Sequence, residues 1–220
     1  MNPANLLVLA LSLATSIASI STQKDMRPRL QVGEGVTVHA RIFYDSTVKK
    51  KAAFQEDDTA TQKPRKRDFE QLFQKVQDYF HSQSVMVHFK VKSANKNDAL
   101  VVNSSSGFVN ANETLQNVIK TIGQSSRNDS ITYLFTKRTL LERSTGSDLA
   151  GSELYFKATF DTFCTKMPSA AVVRYYSLSS SEGTVAATAW TFGEKKYKNF
   201  HLRDYWRMNT TFSHCPRKTR

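Results

Sequence analysis

Ser181-Glu182-Gly183-Thr184-Val185-Ala186-Ala187-Thr188-Ala189-Trp190-Thr191-Phe192-Gly193 is the stretch on which the reading of this chain turns. Ser181 offers a cap and Glu182 a first-turn acid. Val185, Ala186, Ala189 and Phe192 then fall near i, i+1, i+4 and i+7, one face of a short helix. Gly193 is a natural stop. After Glu182 the stretch carries no charge and no His, Asp or Cys. That composition predicts a buried helix at the centre of the C-terminal half.

The helix lies between the only 2 cysteines, Cys164 and Cys215. Before it, Leu154 to Thr159 and Ala170 to Tyr176 read as strands. After it come a basic turn over Glu194 to Asn199 and a last helix over Phe200 to Met208. A basic tail closes the chain, with Arg217, Lys218 and Arg220.

In the N-terminal half, Val36 to Tyr44 alternates. Val36, Val38, Ala40, Ile42 and Tyr44 share one side, and Thr37, His39, Arg41 and Phe43 the other, the pattern of a strand. Residues 45–67 are rich in charge: Lys49, Lys50 and Lys51, then Glu56-Asp57-Asp58, then Arg65, Lys66 and Arg67. With almost no apolar anchor besides Phe54, they read as a long exposed loop. The basic clusters suit heparin-like chains, a processing protease, or simply solvent. Asp68 is expected to cap an amphipathic helix with Phe69, Leu72, Phe73, Val76, Tyr79 and Phe80 inward. Ser84 to Lys92 alternates as a second strand, and Leu100 to Val102 as a third, short one. Asn112 is expected to cap a second helix with Leu115, Val118, Ile119 and Ile122 inward, stopped by Gly123. Ser130 to Lys137 is a fourth strand, and Arg138 to Ser152 a loop. This order predicts an α/β fold, a mixed twisted sheet flanked by helices. No internal repeat is visible.

The chain has 220 residues and a formal charge of +12. Leu6 to Ala18 is apolar with a small-residue exit, so residues 1–21 read as a secretory signal and 22–220 as a single domain. No segment has the length of uninterrupted apolar residues that a membrane span needs. Two cysteines in a secreted chain are most simply one disulfide, worth roughly 4 kcal/mol for such a loop. Asn103, Asn112, Asn128 and Asn209 each begin an Asn-x-Ser/Thr sequon, which fits export. Outside the cell, this charge favours glycosaminoglycans, anionic lipid or acidic proteins over nucleic acid. The expected partner is therefore an extracellular protein or a glycosaminoglycan, and the expected state a monomer.

The order of elements and several local phrases resemble the reprolysin (adamalysin-type) metzincin domain, in the secreted form found in tick saliva. The pieces run from Val36 to Cys215. They include Val36-Thr37-Val38-His39-Ala40-Arg41-Ile42-Phe43-Tyr44, the helix Phe69 to Phe80, Val85-Met86-Val87-His88-Phe89-Lys90-Val91 and the helix Glu113 to Ile122. Asp129-Ser130-Ile131-Thr132-Tyr133-Leu134-Phe135-Thr136, Leu149-Ala150-Gly151 and Cys164-Thr165 before Ala170-Ala171-Val172-Val173 complete them. The resemblance implies that Cys164 pairs with Cys215.

The family's active-site helix carries H-E-x-x-H-x-x-G-x-x-H, with the histidines on zinc and the Glu as base on bound water. Here the matching stretch is Thr184 to Gly193, where Ala, Thr and Trp stand in those places. No histidine lies between His88 and His201. From Gly193 to Phe200 there is no room for the third ligand and the turn that floors the site. The resemblance thus implies a metzincin-like scaffold with a truncated C-terminal subdomain, no catalytic residues, no metal and no cofactor. His39, His81, His88, His201 and His214 include no pair at ligand spacing. The chain also has no G-x-S-x-G and no glycine-rich phosphate loop. The expectation is a pseudoenzyme that acts by binding an extracellular macromolecule; the alternatives are a heparin-like polyanion-binding module acting through Lys49, Lys50, Lys51, Arg65, Lys66, Arg67, Arg217, Lys218 and Arg220, and an active zinc metalloendopeptidase of unusual type. Tyr175, Tyr176, Trp190 and Trp206 are candidates for aromatic contacts.

Overall fold

The main sheet grows outward from β1 (Thr37–Tyr44), whose Val38, Ala40, Ile42 and Tyr44 are all buried. The computed structural model describes residues 30–49, 64–104, 107–123, 127–142, 152–177 and 180–216. The expected signal at residues 1–21 lies outside the described residues, as do Lys50, Lys51, Arg217, Lys218 and Arg220.

The remaining elements are α1 (Lys66–Ser82), β2 (His88–Lys96), β3 (Val109–Asn110), α2 (Ala111–Ile122), β4 (Ser130–Thr136), β5 (Leu140–Glu142), β6 (Ser152–Leu154), β7 (Phe156–Ala158), β8 (Ser169–Arg174), α3 (Glu182–Thr191) and α4 (Leu202–Ser213). The large sheet has the order β2-β1-β4-β8-β7. Its pairs are parallel except β7 with β8. A small sheet, β3-β5-β6, stands beside it. The architecture is the expected mixed α/β one, a twisted sheet flanked by helices.

Both faces of the sheet are covered, which is why β4 is buried along its whole length. On one face Ile42, Tyr133, Phe135, Ala171 and Val173 meet Phe69, Phe73, Val76 and Phe80 of α1 and Val185 and Ala189 of α3. On the other, Leu134, Ala170 and Val172 meet Leu115, Val118 and Ile122 of α2.

The two ends of the described chain also meet. Val32 bridges to Val85. Gly33, at φ +78°, sits so close that a Cβ there would fall 3.1 Å from the ring of Phe212 in α4 and 2.8 Å from Val87. Tyr205 of α4 donates to the carbonyl of Gln83 at 2.8 Å.

Several expectations need correction. Arg65, not Asp68, is the N-cap of α1; Asp68 lies one turn in, and its carboxylate accepts the Arg65 backbone N–H at 2.8 Å. Lys66 and Arg67 are therefore helical rather than part of a loop. Within the same charged stretch, Asp45 and Val48 are buried. Asn110, not Asn112, caps α2: its side chain accepts the Glu113 N–H at 3.2 Å, while Asn112 is the second helical residue. Leu100 to Val102 is no strand, because Asn97 accepts the Ala99 N–H and winds Asp98–Leu100 into a 3-10 turn. The expected loop 138–152 holds β5 and β6, paired antiparallel; residues 143–151 lie outside the described residues. Ser181 makes no side-chain capping bond, and α3 is buried nearly all round rather than on one face. The last helix runs on to Ser213.

Candidate functional site

Alpha helix α3 is short and lined with small residues, so sheet and helix approach closely. Thr184, Val185, Ala186, Ala187, Thr188, Ala189 and Thr191 are all buried. Its hydroxyls are used internally. Thr188 donates to the Thr184 carbonyl at 2.7 Å. That leaves the Thr188 oxygen to accept from Tyr133, whose hydroxyl is 2.8 Å away in β4. Complete burial raises the Tyr133 pKa, with the bond to Thr188 pulling it back in part.

Beside α3, β7 forms one border of the sheet. The Tyr155 carbonyl accepts from Arg174 N–H at 2.9 Å and Thr159 N–H donates to Ala170 at 2.9 Å. By the alternation of an antiparallel ladder, the backbone groups of Phe156 and Ala158 then turn away from β8. Among the described residues no strand pairs with that side. Aromatic rings crowd it. Tyr155 is 65% exposed, Tyr176 50% and Phe160 40%. The rings of Tyr155 and Tyr176 lie 6.3 Å apart, with the Arg174 guanidinium 5.1 Å from the Tyr176 ring. Trp190 of α3 is half-buried behind them, 5.1 Å from Phe160 and 6.1 Å from Phe156.

Of the other aromatic candidates, Tyr175 is buried in the core, while Trp206 points outward on α4 and is 65% exposed.

Just past Gly193 lies a group whose role the sequence concealed. Glu194 is 2% exposed. Its Oε1 has no hydrogen-bond partner and lies 3.6 Å from Arg207 Nε. Burial, then the Asp204 carboxylate, push its pKa up to about 8 against the pull of Arg207. The expected basic turn is thus anchored by an inward acid. Asp129 is a second such group. Arg127 grips it with two bonds of 2.9 and 2.8 Å. Burial pushes the Asp129 pKa up, but Arg127 and His39 outweigh it and hold the carboxyl below its usual range. His39 Nδ1 is 3.2 Å from Asp129, without the alignment of a hydrogen bond. Burial lowers the His39 pKa despite that neighbour. His39, on the side of β1 opposite Val38 and Ala40, is thus itself nearly buried at 9% exposed.

The cysteines Cys164 and Cys215 form a disulfide with Cα atoms 4.9 Å apart. Among the sequons, Asn103, Asn128 and Asn209 are exposed and Asn112 is half-buried in the first turn of α2. Asn103 accepts from Arg138 at 2.6 Å. Of the basic residues expected to meet polyanions, Lys49, Arg65, Lys66 and Arg67 are exposed. Lys66 pairs with Glu70 at 3.5 Å. No group of three or more His, Cys, Asp or Glu among the described residues is arranged to hold a metal ion. No helix among them is long and apolar enough to cross a membrane.

No protein-family model matches the chain, and no curated protein matches it. Among solved structures, it is similar to metalloproteinase-II from Bacteroides fragilis, with a TM-score of 0.46 and 12% identity over 82% of this chain and 54% of that one. The chain thus spans about half the length of that protein. It is also similar to archaemetzincin from Methanopyrus kandleri, with a TM-score of 0.41 and 12% identity over 84% of this chain and 98% of that one. Distant structural neighbours of the chain are thus metalloproteinases.

Proposed function

We propose that this protein is a secreted, catalytically inactive relative of the reprolysin metzincins that binds an extended segment of an extracellular protein along β7. The observation that carries the binding half is the row of exposed rings, Tyr155, Phe160 and Tyr176, beside an unpaired strand side. Backbone groups turned outward supply ladder bonds to a visiting strand, and the rings supply contact area at little entropic cost. The inactive half rests on the residues of α3. Where the resembling family places two histidines and a glutamate, this helix has Ala, Thr and Trp. None of those side chains can activate water through a metal. The signal-like residues 1–21, the sequons and the disulfide support export.

Pull-down from plasma and extracellular matrix, read by mass spectrometry, tests this. Wild type is expected to retain a protein that Tyr155→Asp/Tyr176→Asp does not, with both variants melting alike. Retention of the same proteins by the double variant would overturn the binding surface. Stoichiometric zinc with chelator-sensitive cleavage of casein would overturn the inactive assignment.

A further inference from the structure

A second site lies on the α2 side of the sheet, at the amino ends of β4 and β8. A half-open groove of about 800 Å³ runs there between the end of α2, the turn before β4 and the loop before β8. Among the described residues, Lys120, Arg127 and Lys166 line it and no acid does. We propose that this groove binds a sulfated saccharide segment.

The walls are fixed before any ligand arrives. The Cys164 N–H donates to the Asn128 carbonyl at 2.9 Å, tying one wall to the other. The disulfide to Cys215 holds the same residue from the far side. Thr165 donates to the Thr162 carbonyl at 2.8 Å and accepts the Met167 N–H at 3.0 Å, closing the loop on itself. Arg127 is held in place by its two bonds to Asp129, which also offset its charge, so the net positive charge of the groove comes from Lys120 and Lys166. Lys120 and Lys166 are exposed on opposite walls. So held, Arg127 loses little freedom on binding.

The rest of the lining selects among anions. Thr165, half-buried on the loop wall, supplies a hydroxyl for the sugar's own hydroxyls. Ile119, Met167 and Pro168 offer apolar surface for the C–H face of a ring. Among the described residues no aromatic side chain lines the groove to stack a nucleobase. The site shares no residue with the β7 surface and does not depend on that reading.

The test is calorimetric titration of a heparin-derived hexasaccharide into the full chain, made without glycans and with its disulfide formed, at about physiological salt. Lys120→Ala/Lys166→Ala is expected to weaken binding at least tenfold and to flatten its salt dependence by roughly two contacts. Lys120→Arg/Lys166→Arg and Tyr155→Asp/Tyr176→Asp are expected to bind within twofold of wild type. Lys49→Ala/Lys66→Ala is expected to do the same. The proposal is overturned if wild type does not bind, if uncharged dextran binds equally, or if Lys49 and Lys66 carry the affinity instead. It is also overturned if vesicles of phosphatidylserine compete through Lys120 and Lys166 while the hexasaccharide does not, since the anion would then be a lipid headgroup. Equal melting temperatures for all variants assign any loss to the groove.

Discussion

Glu194 faces Arg207 across the junction of α3 and α4, Oε1 to Nε at 3.6 Å, with the Asp204 carboxylate on the same side. The arrangement places two buried acids against one half-exposed cation, with Asp161 of the neighbouring loop contributing further negative charge. One acid must hold a proton for the site to be at ease.

The pH dependence follows from that. The folded Glu194 carboxyl titrates at about 8, against an ordinary 4.5. Its contribution is fully present below pH 4.5 and is lost as the pH rises through 8. Glu194→Gln imitates the protonated form. It is expected to leave the melting temperature unchanged near pH 4.5 and to raise stability above pH 8 by on the order of 3 kcal/mol. Differential scanning calorimetry of both proteins across that range checks it; parallel curves would remove the raised carboxyl from the account.

Tyr133 and Thr188 are expected to respond unequally to loss of their bond. In Tyr133→Phe the Thr188 hydroxyl still donates to the Thr184 carbonyl. In Thr188→Val a fully buried phenol is left without a partner. Urea midpoints should show a loss of about 1 kcal/mol for the first and about 2–3 kcal/mol for the second. The reverse order would mean that the phenol finds another acceptor.

Asp45 is a buried acid at the end of β1. It accepts from Thr136 Oγ1 at 2.7 Å and from the Thr47 N–H at 3.0 Å, and lies 3.6 Å from Arg138. Asp45→Ala removes the acceptor of the Thr136 hydroxyl and the Thr47 N–H, while Arg138 keeps its bond to Asn103. A loss of about 2–4 kcal/mol is expected by chemical denaturation, and Asp45→Asn should recover part of it.

Cys164→Ser opens a loop closed across 51 residues. In the chain-entropy model this removes about 4 kcal/mol, which for a chain of this size lowers Tm by on the order of 10 °C. Thiol titration in denaturant should find one reactive cysteine in the variant and none in wild type. An unchanged Tm would show that the bond adds nothing to stability.

The main elements were legible because apolar residues mark them. Beta strand β1 alternates with period two, and α1 and α2 carry apolar stripes at helical spacing, so all three emerge within a few residues of their true limits. The errors gather where polar side chains decide. Asn110 and Asn112 are equally good caps by composition, and only the approach to Glu113 selects the first. Asp45 reads as part of an exposed loop and Glu194 as part of a basic turn, since their burial depends on partners distant in sequence or beyond the turn, Thr136 for Asp45 and Arg207 for Glu194. The rings at β7 were partly legible. Tyr176 and Trp190 stood out as aromatic, but Tyr155 and Phe160 gather with them only once β7 and β8 pair. The groove of Lys120, Arg127 and Lys166 was invisible, because its walls come from three separate parts of the chain.

The contact of Gly33 with the ring of Phe212 has a consequence for biosynthesis. The first described residues cannot reach their final packing until α4 has left the ribosome. Closure of the fold is therefore a late event: while α4 has yet to emerge, Gly33 lacks the ring against which it packs.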